Sequence, residues 1–587
     1  MNRVESDFSL VQVPVHLREF VVEQDYERYT PVDHAVWRYV MRQNLSFLSK
    51  KAHAAYVDGL RTSGISVERI PNIREMNESL AQIGWGAVTI NGFIPAVAFF
   101  DFQAHGILPI ACDIRQYDHI AYTPAPDIIH EAAGHAPIIK DEKYRSYLKL
   151  FGEIGSRALS SREDYELYEA IRLLSIVKED PESTDEEIRA AELALEQKAQ
   201  AVKEVSEANQ LARLYWWTVE YGLIGDLENP QIYGAGLLSS VGESMSCLKD
   251  DVKKIPFSLQ ACIETDYDIT KPQPQLFVCR DFDELIEAVQ EFAKTMAMSV
   301  GGTQSLIKAS KMPQTSTFVY SSGLQVSGVL SELEFDDRGE AVYLKTTGPT
   351  ALAVGDKELP GHGKTYHAEG FGSPIGLLAG EPTPLEAFTD GQLEAYGIVV
   401  DQTTTLTFAS GVQVVGKVAY IRRENGKIVL IGFDNCTVTY RGKTLFMSEW
   451  GTYDMAVGEK IVSVFAGAAD REAFATGTHK PSAVNARRPV YSPEQKRLHR
   501  LYQQVRDIRE QAPAAETVQR VLAEVLREVD EAYTDDWLIR LEILEVLHKR
   551  GLLPDKQAQL RLALEALREK GEEQAQLIDN GLLLIGT

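Results

Sequence analysis

FVYSSGLQVSGVL, residues 318 to 330, returns as TFASGVQVVGKV, residues 407 to 418. Ser322, Gly323, Gln325, Val326 and Gly328 reappear 88 positions on as Ser410, Gly411, Gln413, Val414 and Gly416. Each copy runs through a polar turn, DDRGE and then RENGK, into a second apolar run, which is the pattern of paired strands joined by tight turns. A chain with this recurrence has to build one β unit twice. Residues 315–480 are therefore expected to form a small all-β domain of two related halves. No catalytic pattern is evident within it, and His362 and His367 are expected on exposed loops.

At 587 residues the chain exceeds a single core, and length alone suggests about three to four domains. Helical periodicity dominates to about residue 310, where TPVDHAVW opens a helix with Thr30 as N-cap, Pro31 in the first position and Asp33 in the first turn. The expected architecture is multidomain: an N-terminal extension (1–19), a mainly α unit with short strands (20–314), the all-β domain (315–480), a linker (481–491) and an α-helical region (492–587). Within the first unit, residues 160–208 are charged and helical, broken at KEDPESTDEE where Thr184 and Glu187 form a capping box. A helical hairpin is expected there. The C-terminal helices are amphipathic and are expected to cover the β domain or to join copies of the chain as a homo-oligomer.

A net charge of −25 makes nucleic acid and anionic membranes poor partners. The five cysteines lack CxxC spacing, so neither a disulfide framework nor a cysteine metal cage is expected, and a reducing, cytoplasmic setting fits. IGWGAVTINGFIPAVAFFDF, the longest apolar tract, is interrupted by Asn91, Gly92, Pro95 and Asp101, which suits a loop better than a membrane span.

PDIIHEAAGHAPII, residues 126–139, sets two imidazoles and a carboxylate within six residues behind a helix-starting proline. Histidines five apart diverge by about 140° on a continuous α-helix, unlike the four-residue spacing of the zinc-protease pattern HExxH. HEAAGH thus argues against that chemistry. Gly134 can end the helix in the left-handed conformation, which would free His135 to turn back toward His130. In RLYWWTVEYGLIG, residues 213–225, Glu220 is the only acid among aromatic and β-branched neighbours, and a carboxylate so placed needs a strong positive partner. Two histidines and a carboxylate on one face of a divalent ion form the facial arrangement of non-haem Fe(II) oxygenases.

Four blocks, in order, extend this pattern: QDYERYTPVDHAVW (24–37), CDIRQYDHIAYTPAPDIIHEAAGHAPI (112–138), LYWWTVEYGL (214–223) and YGAGLLSSVGE (233–243). Through them, residues from about 20 to 310 resemble the pterin-dependent aromatic amino acid hydroxylases, most closely the bacterial phenylalanine hydroxylases. The resemblance implies His130, His135 and Glu220 as ligands of Fe(II). It implies Arg115 as the grip on the substrate carboxylate, Asp127 as the acid that orients it, and Thr123 at the amino acid's polar end. Trp216, Tyr221 and Gly236 then wall the aromatic pocket, and Ser239 stands behind the first histidine. On the side of the tetrahydropterin co-substrate, the resemblance implies Gly92, Phe93 and Ile94 along the pterin edge, Phe99 stacked on its ring, and Glu131 and Tyr215 nearby. Ala125 departs from the animal enzymes, which carry an acid between the two prolines.

The expected activity is ring hydroxylation of a free aromatic amino acid, phenylalanine to tyrosine, with tryptophan or tyrosine hydroxylation as the alternative substrates. A metal-dependent hydrolase using the same ligands, or a scaffold with a vestigial hydroxylase half, are the competing classes. Every matched residue precedes position 315, so the first half is expected to be catalytically complete on its own.

Overall fold

The helix Pro31–Lys51 starts as its sequence dictates: Asp33 N–H donates to Thr30 Oγ1 at 3.2 Å and Thr30 N–H to the Asp33 carboxylate at 2.7 Å. A surface helix buries one stripe, yet here every residue from His34 to Met41 is buried. The far side of this helix is covered by the chain's own C-terminal helices, Pro493–Gln511, Trp537–Arg550 and Glu572–Gly586, whose Leu501, Trp537, Leu544 and Ile578 share one core with Trp37, Tyr39 and Val40. Burial of each such side chain contributes roughly 1.5–3 kcal/mol. This corrects the expectation that the helical region covers the β domain: an amphipathic face requires a partner without specifying it, and the partner is the first half of the chain.

The computed structural model describes residues 11–92, 94–121, 127–179, 183–202, 205–269, 271–475 and 490–586; most of the expected linker, Phe93 and Thr123 lie outside them. In the first half, strands Gly86–Ile90 and Ile107–Ala111 run parallel and fully buried, joined by the helix Ala96–Ala104, with Val21–Val22 antiparallel on the other edge of Gly86–Ile90. The second strand delivers the chain to Arg115 and the histidine segment. Helices Arg162–Glu179 and Asp185–Ala201 pack as a hairpin, bridged by Lys198 to Glu166 at 2.7 Å and capped by Thr184 and Glu187.

Beyond Thr315 the chain forms two antiparallel sheets. Ser316–Tyr320 pairs with Leu324–Phe335 so that Ser316 faces Gly328 and Phe318 faces Val326. Thr403–Thr407 pairs with Gln413–Glu424 so that Thr404 faces Gly416 and Leu406 faces Val414, the same register 88 positions on. The recurring glycine is a packing requirement. A Cβ on Gly328 would fall 2.6 Å from Thr350 Oγ1, and one on Gly416 3.1 Å from the Cβ atoms of Phe433 and Cys436. Each half has its own apolar core, one around Phe318, Leu344 and Val464, the other around Leu406, Ile431 and Met455. Arg471 fastens this region to the first half by pairing with Asp101 and donating to Ser156 O at 2.7 Å.

The placement of His362 and His367 on exposed loops is also corrected. Both are only 8% exposed. The segment that carries them folds back on the strand Ala341–Val354, with Leu352 N–H donating to His362 O at 2.9 Å and Thr350 N–H to His367 O at 3.0 Å. Among the described residues, no helix is long and apolar enough to cross a membrane.

Candidate metal centre and active site

Residues His130–His135 form a π-helical turn that continues into the short helix Ala136–Ile138. The helix does not end at Gly134 as its sequence suggests, and Gly134 is not left-handed. A π turn closes its hydrogen bond five residues back, so side chains five apart share a face as those four apart do in an α-helix. His130 Nε2 and His135 Nε2 thereby come to 3.3 Å from each other. Gly134 is needed for another reason: a Cβ there would lie 2.5 Å from Ala235 O.

A second π turn, Trp216–Glu220, presents the carboxylate. Glu220 Oε2 lies 3.2 Å from His130 Nε2 and Oε1 3.1 Å from His135 Nε2. Three donors at mutual distances of 3.1–3.3 Å match ligands about 2.0–2.2 Å from one ion. Glu131 also turns toward His135, but at 3.8 Å and with one oxygen only, so Glu220 is the better-placed carboxylate. Burial disfavours charge on His130, yet Glu220 overrides it and raises the imidazole to about 9; His135 and His130 in turn hold Glu220 well below the usual carboxylate range despite its burial.

Ser239 settles which nitrogen of His130 faces the site. Its hydroxyl donates to Ala235 O at 2.8 Å, so toward His130 Nδ1, 3.1 Å away, it accepts. With an ion bound, the remaining proton would sit on Nδ1 and Nε2 would present its lone pair.

Arg115 and Asp127 form a buried fork-to-fork pair: Nε donates to Oδ2 at 2.8 Å and Nη2 to Oδ1 at 2.9 Å. Asp127 also accepts the backbone N–H groups of Arg115 and His130, both at 3.0 Å, tying the guanidinium to the histidine turn. Burial opposes ionisation of Asp127, but Arg115 outweighs it and keeps its carboxyl below the usual range. Trp216 lies sandwiched between Tyr221 at 4.6 Å and Tyr267 at 4.4 Å between ring centroids. Gly236 admits the Tyr221 ring, which a Cβ would approach to 3.0 Å.

On the other side of the histidines, Tyr215 packs edge-on against Phe99, with ring centroids 5.9 Å apart, and accepts from Gln103 Nε2 at 2.7 Å. Glu131 is buried, burial raises its carboxyl, and its Oε2 has no hydrogen-bond partner among the described residues. Gly92 takes a left-handed φ of 63° at the bend before Ile94, which is buried.

The model of the biopterin-dependent aromatic amino acid hydroxylases matches residues 23–170 and 195–302. The match marks a biopterin-dependent aromatic amino acid hydroxylase domain within the first half of the chain. The gap in the match falls within the helical hairpin, whose second helix begins at Asp185. Similar curated proteins include the phenylalanine-4-hydroxylase of Chromobacterium violaceum, 28% identical over 46% of this chain and 77% of that protein, and that of Ralstonia nicotianae, 29% identical over 46% and 74%. The phenylalanine-4-hydroxylase of Bos taurus is 28% identical over 46% of this chain and 51% of its own length. A crystal structure of the Chromobacterium violaceum enzyme with bound oxidized Fe(III) aligns at 25% identity and a TM-score of 0.38, covering 49% of this chain and 90% of that one.

The hydroxylase domain also uses residues that sequence reasoning left without a role. Glu243 accepts from Tyr221 OH at 3.1 Å and from Gln273 N–H at 3.0 Å, and Gln273 Oε1 accepts from Trp216 Nε1 at 3.4 Å. Glu243 closes the block YGAGLLSSVGE, where an acid ending an apolar run was a usable signal. Tyr267 and Gln273 carried no such mark.

Proposed function

We propose that this chain is an Fe(II)- and tetrahydropterin-dependent monooxygenase that hydroxylates the ring of a free aromatic amino acid, converting phenylalanine to tyrosine. The observation that carries the reading is the convergence of His130, His135 and Glu220 at 3.1–3.3 Å beside the buried Arg115–Asp127 pair. Iron held by these three ligands would activate O2 with electrons from the pterin.

The chain's own residues set the geometry around that chemistry. Asp127 engages the Nε and Nη2 edge of Arg115, leaving further guanidinium N–H groups for a substrate carboxylate. Trp216, Tyr221 and Tyr267 stack into one rigid aromatic wall whose edge would face the substrate ring, and Gly236 lets Tyr221 pack into that wall. Thr123, outside the described residues, is assigned to the substrate's polar end. Glu131 has an unmet demand for a donor that the N–H edge of a pterin would satisfy, with Phe99 and Tyr215 supplying aromatic surface and Gly92, Phe93 and Ile94 the backbone edge. Relatives named phenylalanine-4-hydroxylase support phenylalanine over tryptophan or tyrosine.

In the same reading the chain divides near residue 315 and again in 481–491, and the exposed Leu562 and Leu583 of the C-terminal helices make them the candidate surface for homo-oligomer formation. Purified, iron-loaded protein supplied with a tetrahydropterin and each aromatic amino acid in turn should give tyrosine from phenylalanine at the highest kcat/KM. A higher value with tryptophan would reassign the substrate.

A further inference from the structure

A second set of two histidines and a carboxylate lies in the β domain. His362 Nδ1 and His367 Nε2 are 3.3 Å apart, and Asp454 Oδ2 is 4.0 Å from the first and 3.9 Å from the second. All three residues are buried. A point equidistant from three atoms at these separations lies about 2.2 Å from each, at the upper end of the range of metal–nitrogen and metal–oxygen bonds. The carboxylate distances are too long for hydrogen bonds to either imidazole. Asp454 thus faces both rings without bonding to them.

The fold builds this arrangement from both repeats. The histidines come from the loop anchored to the first half by Leu352 and Thr350, while Asp454 lies on the strand Tyr453–Ala456 of the second. Gly432 pairs with Asp454 on one side and with Tyr420 on the other. A Cβ at Gly432 would fall 2.1 Å from the Tyr420 ring, so only glycine lets that ring cross the strand. Tyr420 OH donates to Asp454 Oδ1 and lies 3.5 Å from His362 Nε2. The bond to Oδ1 orients the carboxylate and leaves Oδ2 turned toward the imidazole pair, as carboxylates that bind metals are oriented by a hydrogen bond to the other oxygen. Tyr366, 56% exposed, also reaches Asp454 and stands between the cluster and solvent. Arg422, the nearby cation, is engaged by Glu424 at 2.9 Å and by Pro360 O.

We propose that His362, His367 and Asp454 bind a divalent first-row transition-metal ion, clamping the two β halves together. Two imidazole nitrogens and one carboxylate oxygen suit Zn2+, Fe2+ or Co2+, and three protein ligands leave at least one position for water or a small anionic ligand. The site shares no residue with the first centre, so the two can be counted separately.

The test is metal stoichiometry on the full-length chain, stripped with a chelator, titrated with Co2+, and read by visible absorption and by elemental analysis after desalting. Wild type should bind two equivalents, and His130→Ala/His135→Ala should retain one. Adding His362→Ala/His367→Ala to that variant should remove it, and Asp454→Asn should weaken it by at least about tenfold. The first variant leaves the β domain untouched, so misfolding of that domain cannot mimic the negative result. If wild type bound a single equivalent that His130→Ala/His135→Ala abolished, or if the fourfold variant bound as much as the double one, the cluster would be only a packed polar core. A wild type binding one equivalent that His130→Ala/His135→Ala leaves intact would support this site and remove the first.

Discussion

At the scale of single residues, hydrogen bonds hold the functional groups in one state. Ser239→Ala removes the acceptor that fixes the His130 tautomer while leaving all three ligands in place. Iron affinity should fall by about 10–100-fold with little change in folding, as measured by competition against a chromogenic chelator. Arg115→Lys keeps the charge but loses the fork that holds Asp127 and would hold a carboxylate. The amino acid KM should rise by roughly an order of magnitude or more, with the pterin KM moving less; an unchanged amino acid KM would return Arg115 to a purely structural role. The candidate ligands His130, His135 and Glu220 could be picked out in the sequence because their residue types are costly to bury without a partner, whereas Arg115 was picked out only through the family resemblance. His362 and His367 were not legible, since their carboxylate lies far downstream and reaches them only through strand register across Gly432.

At the scale of elements, both π turns gather the candidate ligands, and neither has a signature in side-chain type. Gly134 illustrates the ambiguity. A glycine late in a helical pattern reads as a terminator, whereas here it lets the histidine turn approach the backbone of Ala235. By helix propensity alone, Gly134→Ala would stabilise by about 1 kcal/mol. The close approach reverses that sign: the variant should lose stability in thermal unfolding and lose bound iron, because its Cβ must displace Ala235 and with it the segment bearing Ser239. The strand repeat and the helix caps at Thr30 and Thr184 were readable in advance, since turn and cap chemistry is local.

At the scale of the whole molecule, the first half and the C-terminal helices share one apolar core. Arg38, 1% exposed, pairs with Glu542 and Glu545, which also meet Arg42 and Arg509. Arg38→Ala takes one partner from each of two buried carboxylates, which keep Arg42 and Lys549 (Glu545) and Arg509 (Glu542), and should cost up to about 3 kcal/mol in denaturant unfolding. Burial raises the Glu545 carboxyl, but Arg38 and Arg42 more than offset this and bring it to about 2, below its ordinary 4.5. Its stabilising contribution is therefore complete above about pH 4.5 and is lost as pH falls toward 2, a loss that Glu545→Gln should largely remove. The same contacts revise the expectation that the chain up to residue 315 suffices. A chain ending there would expose the apolar side of Pro31–Lys51 and leave Arg38 without Glu542 and Glu545, so it should aggregate or bind iron poorly. A folded, fully active truncate would show the helices to be dispensable.

Assignment of the His130, His135 and Glu220 centre to pterin-dependent hydroxylation is tested by tyrosine formed from phenylalanine, with and without a tetrahydropterin, by iron-loaded wild type and by His130→Ala, His135→Ala and Glu220→Gln. Wild type should form tyrosine only when the pterin is supplied, and each variant should lose stoichiometric iron and fall by at least about a thousandfold in rate. Tyrosine formed without a pterin, or undiminished turnover in any of the three variants, would contradict it.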